Sequence, residues 1–137
     1  MNSTQTKNIV QHFLKLMAQR KLVELTNLFS EKIDWYIPGN IEKALWLGRR
    51  NSKEEVKEFY ELLWKNTVPV SAQIDKIFVD ANNAIITGEF STKMVQTNKI
   101  VDSLFCIQIT FENDLIVKYR LLEDSHAVSV ALTNSSN

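Results

Sequence analysis

The chain has 137 residues, with 16 basic and 16 acidic side chains in balance, a size that suits one domain with a real core. Without a Lys/Arg cluster it lacks the electrostatic stripe of a nucleic-acid binder, and no apolar run approaches the roughly 18–20 residues of a membrane span. The start MNSTQTKNIV does not have the form of a signal peptide, and the lone Cys106 offers neither an internal disulfide nor a zinc pattern, so a reducing, cytoplasmic setting is expected.

From Thr4 to Arg20 the apolar residues Ile9, Val10, Phe13, Leu14, Leu16 and Met17 recur at helical spacing. A break near Arg20-Lys21 separates this helix from a shorter one carrying Leu22, Leu25, Leu28 and Phe29. The stretch IDWYIPGN follows as a short strand, Ile33, Trp35 and Ile37 on one face and Asp34 and Tyr36 on the other. Pro38 holds Ile37 extended and Gly39 permits a turn. Residues 40–51 read as irregular. Ser52-Lys53-Glu54-Glu55 then has the form of a capping box, opening a helix over about Lys53 to Asn66 with Val56, Phe59, Tyr60 and Leu63 on one stripe.

Pro69 marks the switch to a period of two. Val70, Ala72 and Ile74 alternate before the pattern slips to Ile77 and Val79, the signature of a bulge. After a turn at Asn82-Asn83, one strand turns Ala84, Ile86, Gly88 and Phe90 to one face, and the next does the same with Ser103, Phe105, Ile107, Ile109 and Phe111. Asn113-Asp114 makes a second hairpin, after which Leu115, Val117, Tyr119, Leu121 and Glu123 share a face. Asp124 reads as the N-cap of a last helix over Ser125 to Leu132. Short flexible tails are expected at 1–3 and 133–137. Helices followed by hairpin-linked strands argue one α+β domain, with helices on one face of a strongly bent, mostly antiparallel sheet. Such a sheet forms a cone that need not be filled.

Three segments, LFSEKIDWYIPG, LGRRNSKEEVKEFYELL and FENDLIVKYRLLEDSHAVSVA, resemble in order those of SnoaL-like proteins of the nuclear transport factor 2-like superfamily. That superfamily includes ketosteroid isomerase, scytalone dehydratase and limonene epoxide hydrolase. The resemblance implies a cone-shaped α+β fold, a pocket inside it and a homodimer through the outer sheet face. It implies little about chemistry, because the family's acids are not matched residue by residue. Where the isomerase carries its base carboxylate this chain has Tyr36, with Asp34 two residues away, and where the hydrolase and cyclases carry an inward acid it has Leu121. The isomerase's helix-borne tyrosine has no counterpart in IVQHFLKLM.

The remaining candidates come from the residues themselves. Tyr119 and Glu123 alternate on one strand face about 13 Å apart, a span that a ligand could bridge. A carboxyl at Glu123 in apolar surroundings has a raised pKa and suits general acid–base work, with Tyr119 as donor to an oxyanion and Asp34 near the mouth. Trp35, Tyr36, Trp46, Phe59, Tyr60, Phe90, Phe105, Tyr119 and Leu121 are the candidate ligand-binding residues. Trp46 is singled out because it lies in an irregular segment, as a lid or a loop anchor. Gly88 leaves space opposite those rings or relieves a sheet bend. His12 and His126 read as surface or packed residues. They are too far apart in sequence, without clustered carboxylates, to suggest a metal, and no cofactor is implied. On the outer face Leu104, Cys106, Ile116 and Leu122 look like a dimer contact. The expected function is binding of a small apolar polyketide-, steroid- or terpenoid-like molecule, without catalysis. The alternative is a cofactor-independent isomerase, cyclase or dehydratase moving a proton on such a substrate.

Overall fold

Asn2, rather than Thr4, sets the start of the first helix. Its side chain accepts from the Gln5 amide while Gln5 Oε1 accepts from the Asn2 amide, a reciprocal cap that satisfies both of those donors. The computed structural model describes residues 1–134. Helix α1 spans Ser3–Ala18 and α2 Leu22–Thr26; β1 runs Phe29–Ile37 and β2 Gly48–Ser52. Helix α3 covers Lys53–Asn66, and strands β3 (Thr67–Asp80), β4 (Asn83–Met94), β5 (Ile100–Glu112) and β6 (Leu115–Glu123) precede α4 (Ser125–Ala131). The expected N-terminal tail is thus partly helix, with the Ser3 hydroxyl accepting from the Ala81 amide. At the other end Thr133 bonds Lys43 and Ser129, and the rest of the expected tail, 135–137, lies outside the described residues.

The six strands form one sheet in the order β2-β1-β6-β5-β4-β3, antiparallel throughout except for the parallel pair β1/β6. It is curled but unclosed, with the helices packed against it. Phe29 opens β1 rather than closing α2, because α2 stops at Thr26, whose hydroxyl turns back onto the Leu22 carbonyl. The segment read as irregular contains β2, too short and too charged (GRRNS) to show a period. Ser52 caps α3 by accepting from the Glu55 amide at 3.2 Å, but Glu55 reaches past it to the Asn51 amide at 3.0 Å.

Bulges bend the sheet. Asp75 is the extra residue between the pairs Ile74/Gly88 and Lys76/Thr87, at the slip read from the sequence, and Val70 is a second one nearby. A third, at Val117, corrects the reading of β6: Thr110 pairs with Lys118 and Phe111 with Ile116. Ile116 therefore turns inward, at 0% exposure, and leaves the expected outer-face patch. Gly88 leaves no space. A Cβ there would stand 2.2 Å from the Gln73 carbonyl oxygen and 2.7 Å from the Phe105 ring, so the missing side chain is what lets that ring lie against β4.

The core lies between the concave sheet face and α1 and α3. Val10, Phe13 and Leu16 of α1 and Val56, Phe59 and Tyr60 of α3 meet the inward residues of β1, β5 and β6. Trp35 is its centre, stacked on Tyr119 at 4.2 Å and 13° and edge-on to Phe59 at 4.8 Å. Such geometry adds about 0.5–1.5 kcal/mol per pair beyond burial. None of the helices described is long and apolar enough to cross a membrane.

Candidate functional site

The concave face is not filled. A cavity of about 400 Å³ remains between α1, α3, the segment after β1 and the sheet. Its wall is mostly apolar, with Trp46, Phe59, Leu63, Phe90, Phe105 and Leu121 among the residues that line it. Two charged side chains reach it, Glu123 and Arg20.

Glu123 ends β6, opposite Phe105. Burial pushes its carboxyl up to about 7 from an ordinary 4.5, because the apolar wall penalises the charged form and supplies no compensating cation. None of the three ion pairs among the described residues includes it. Near neutrality such a carboxyl is divided between its two forms and can both take and return a proton.

Two phenols stand deeper in the wall. Tyr119, 2% exposed, and Tyr60, 1% exposed, have their hydroxyls near one another. Burial raises both above the usual range, so both stay protonated. The contact between them does not reach hydrogen-bond geometry, and Tyr60 Oη is left without a partner. An unpartnered buried hydroxyl costs about 1–3 kcal/mol. A ligand oxygen would satisfy it.

The structure sorts the sequence candidates by the alternation of β1. Asp34 and Tyr36 point to the outer face, away from the cavity. Asp34 Oδ1 accepts from Arg120 Nη2 at 2.9 Å, and the Arg49 guanidinium lies 4.2 Å over the Tyr36 ring. Neither Asp34, expected as a catalytic group, nor Tyr36, expected as a ligand contact, lines the cavity. Trp35 faces inward, but behind Tyr119, so it supports the wall without lining it. Trp46, Phe59, Tyr60, Phe90, Phe105, Tyr119, Leu121 and Glu123 do come together.

Trp46 is buried and lines the cavity from the turn segment after β1, which Asn40 organises by accepting from the Glu42 and Lys43 amides. Asp124 caps α4 through the Ala127 amide at 2.9 Å, and His12 and His126 are exposed. No three His, Cys, Asp or Glu side chains among the described residues group as metal ligands. Arg20, Thr67 and Thr92 line the cavity without having been singled out. The helix break at Arg20 was a visible signal; the two threonines gave none.

A curled, unclosed mixed sheet with four helices packed on it is the cone of NTF2-like proteins. The SnoaL-like domain matches residues 10–119, and the chain belongs to that family. An NTF2-like protein from Burkholderia xenovorans LB400 superposes with a TM-score of 0.87 at 16% identity, over 97% of this chain and 99% of that one. TerC, co-crystallised with polyporic acid, gives 0.81 at 10% identity over 93% and 98%. At these identities the likeness is one of fold. A much longer protein, one of the subunits of an ATP-dependent helicase/nuclease from Lactobacillus helveticus (strain DPC 4571), is 30% identical over 121 residues, 79% of this chain. The chain spans only 10% of that relative's length.

Proposed function

We propose that the protein binds a small apolar molecule, polyketide-, steroid- or terpenoid-like, in the cavity, with the molecule's polar end at Glu123 and the Tyr119–Tyr60 pair. The observation that carries this reading is an apolar cavity of about 400 Å³ whose only carboxyl, among the described residues, is Glu123. That volume falls in the range of small-molecule sites, about 300–1,000 Å³. TerC, a chain of the same fold, was co-crystallised with a small molecule, polyporic acid. A thermal-shift panel of polycyclic phenols, ketones and terpenoids tests it. At least one compound is expected to raise Tm saturably, and Leu121→Trp, which pushes an indole from the wall into the cavity, is expected to weaken or remove the effect. A panel without a hit, or hits insensitive to L121W, refutes the reading.

The second reading is acid–base catalysis, favoured by the Glu123 carboxyl at about 7. As a carboxylate it takes a proton from a carbon next to a ketone. The protonated Tyr119 hydroxyl donates to the enolate oxygen, and Glu123 returns the proton to the far carbon of the dienolate. Conjugation of a β,γ-unsaturated cyclic ketone, followed by ultraviolet absorbance, should rise through a pKa near 7 and vanish in Glu123→Gln. A rate unchanged by E123Q removes this reading and leaves binding in place. Tyr36 and Leu121, standing where relatives of known chemistry carry acids, weigh towards binding alone.

We also infer a homodimer through the outer sheet face, supported by Leu104 at 73% exposure near the exposed Leu122, with a second exposed pair, Phe78 and Ile85, further along the sheet. Sedimentation at low micromolar concentration showing only monomer would contradict it. The free thiol of Cys106 fits a reducing, cytoplasmic location.

A further inference from the structure

Arg20 is the second charged residue of the cavity, and Glu123 does not neutralise it. Register separates the two. Glu123 is level with Phe105, Gly88 and Ile74 across the sheet, whereas Arg20 sits against Trp64, in the turn of α3 that runs into Thr67. Thr67 pairs with Met94, six residues beyond Gly88 on β4 and therefore about 20 Å along that strand. Arg20 is exposed and lines the cavity, which places it at an opening. Its guanidinium lies 5.6 Å over the Trp64 ring, and Nη1 donates to the Trp64 carbonyl at 3.5 Å, a long contact. None of the three ion pairs among the described residues involves Arg20.

The backbone makes the choice of arginine more informative. Arg20 has φ +51° at the position after the α1 C-cap, with Arg20 N–H on Met17 and Lys21 N–H on Leu16. That is a Schellman end, where glycine is the favoured residue and a long side chain such as arginine is uncommon. A cation is held there against backbone preference, over an apolar ring, at the edge of an apolar cavity.

We propose that Arg20 makes the cavity mouth selective for ligands that carry an anionic group, a carboxylate or sulfonate, on an apolar ring body. The guanidinium presents a planar fork of donors to such a group, and the Trp64 face keeps the fork oriented while excluding water from one side. The anion stays at the mouth and the ring body extends along the wall towards Phe59 and Leu121. This deepens the ligand-binding reading and rests on it.

The test compares two fluorescent probes that share a skeleton: 1-anilinonaphthalene-8-sulfonate, an anion, and N-phenyl-1-naphthylamine, which lacks the sulfonate. Both are titrated into the wild-type protein, Arg20→Gly and L121W. Arg20→Gly removes the guanidinium while relieving the strained φ, so folding is expected to be kept or improved; Arg20→Lys keeps the charge without the fork. Wild-type protein should bind both probes and L121W neither. R20G should weaken the sulfonate probe about tenfold, a value set by one charge-assisted contact at an exposed site, and change the neutral probe less than about twofold. Arg20→Lys should fall between the two. Added salt should weaken only the sulfonate probe, and only while Arg20 is present.

Equal changes for both probes in R20G, or none, overturn the selectivity while leaving the cavity reading intact. Binding that survives L121W places the probes outside the cavity and overturns the proposal. A wild-type protein that binds neither probe fails the cavity reading, and the proposal with it.

Discussion

Replacing Glu123 by glutamine should stabilise the protein, increasingly so as pH rises above about 4.5. The carboxyl titrates at about 7 when folded and at an ordinary 4.5 when unfolded. Below about pH 4 both states keep the proton, and the group contributes no pH dependence. Between the two values the unfolded chain has released a proton that the folded protein retains, so wild-type stability falls as pH rises. Above about pH 7 the loss is complete. A gap of 2.5 pH units at 1.36 kcal/mol each is about 3 kcal/mol. Water reaching the half-buried carboxyl lowers this to about 2 kcal/mol. Glutamine keeps the shape and has no charge to bury, so the slope disappears.

Urea unfolding of both proteins at about pH 4, 5, 6, 7 and 8 measures the difference. The gain of Glu123→Gln should be near zero at the acid end and about 2 kcal/mol at the alkaline end, or several degrees in Tm. It should be insensitive to salt, because the cause is desolvation and not a neighbouring charge. A difference that stays flat across the range would show that Glu123 titrates normally and would refute the reasoning about its surroundings.

Tyr60→Phe removes a buried hydroxyl that has no hydrogen-bond partner, and should leave Tm unchanged or raise stability by about 1 kcal/mol; a loss above that would mean the hydroxyl is satisfied. Gly88→Ala places a Cβ 2.2 Å from the Gln73 carbonyl oxygen, and should cost about 2–4 kcal/mol in urea unfolding. Ile116→Ser, in the core, should cost about 3 kcal/mol, and Val117→Ser, at the bulge, less than about 1 kcal/mol. The reverse order would restore the unbulged register.

Most of the architecture was legible because its causes are local. The 3.6 period of α1, the Ser52 cap and the Asn113-Asp114 hairpin each declare themselves within a few residues, and the slip before Ile77 announced the Asp75 bulge. Strand β2 was not legible, since GRRNS owes its extended form to pairing with β1 and not to its own pattern. The Val117 bulge was hidden for a related reason. Leu115, Ile116 and Val117 are all apolar, so alternation alone could not say which one faces the core.

The site divides the same way. Glu123, Tyr119 and the rings from Phe59 to Phe105 followed from strand and helix faces. Asp34 and Tyr36 were drawn in by the resemblance, and the alternation of β1 puts them on the outer face. Arg20 was passed over because the break at Arg20-Lys21 read as punctuation, and only the fold brings that turn to the cavity.

The most direct test is a crystal structure grown with N-phenyl-1-naphthylamine at saturation. Ring density between Phe59, Phe105 and Leu121, with Trp46 against it and the amine turned to Glu123 or Tyr119, is expected. Density found only elsewhere on the protein, with Phe90, Phe105 and Trp46 collapsed into the cavity, would contradict the central claim that the cone holds a ligand.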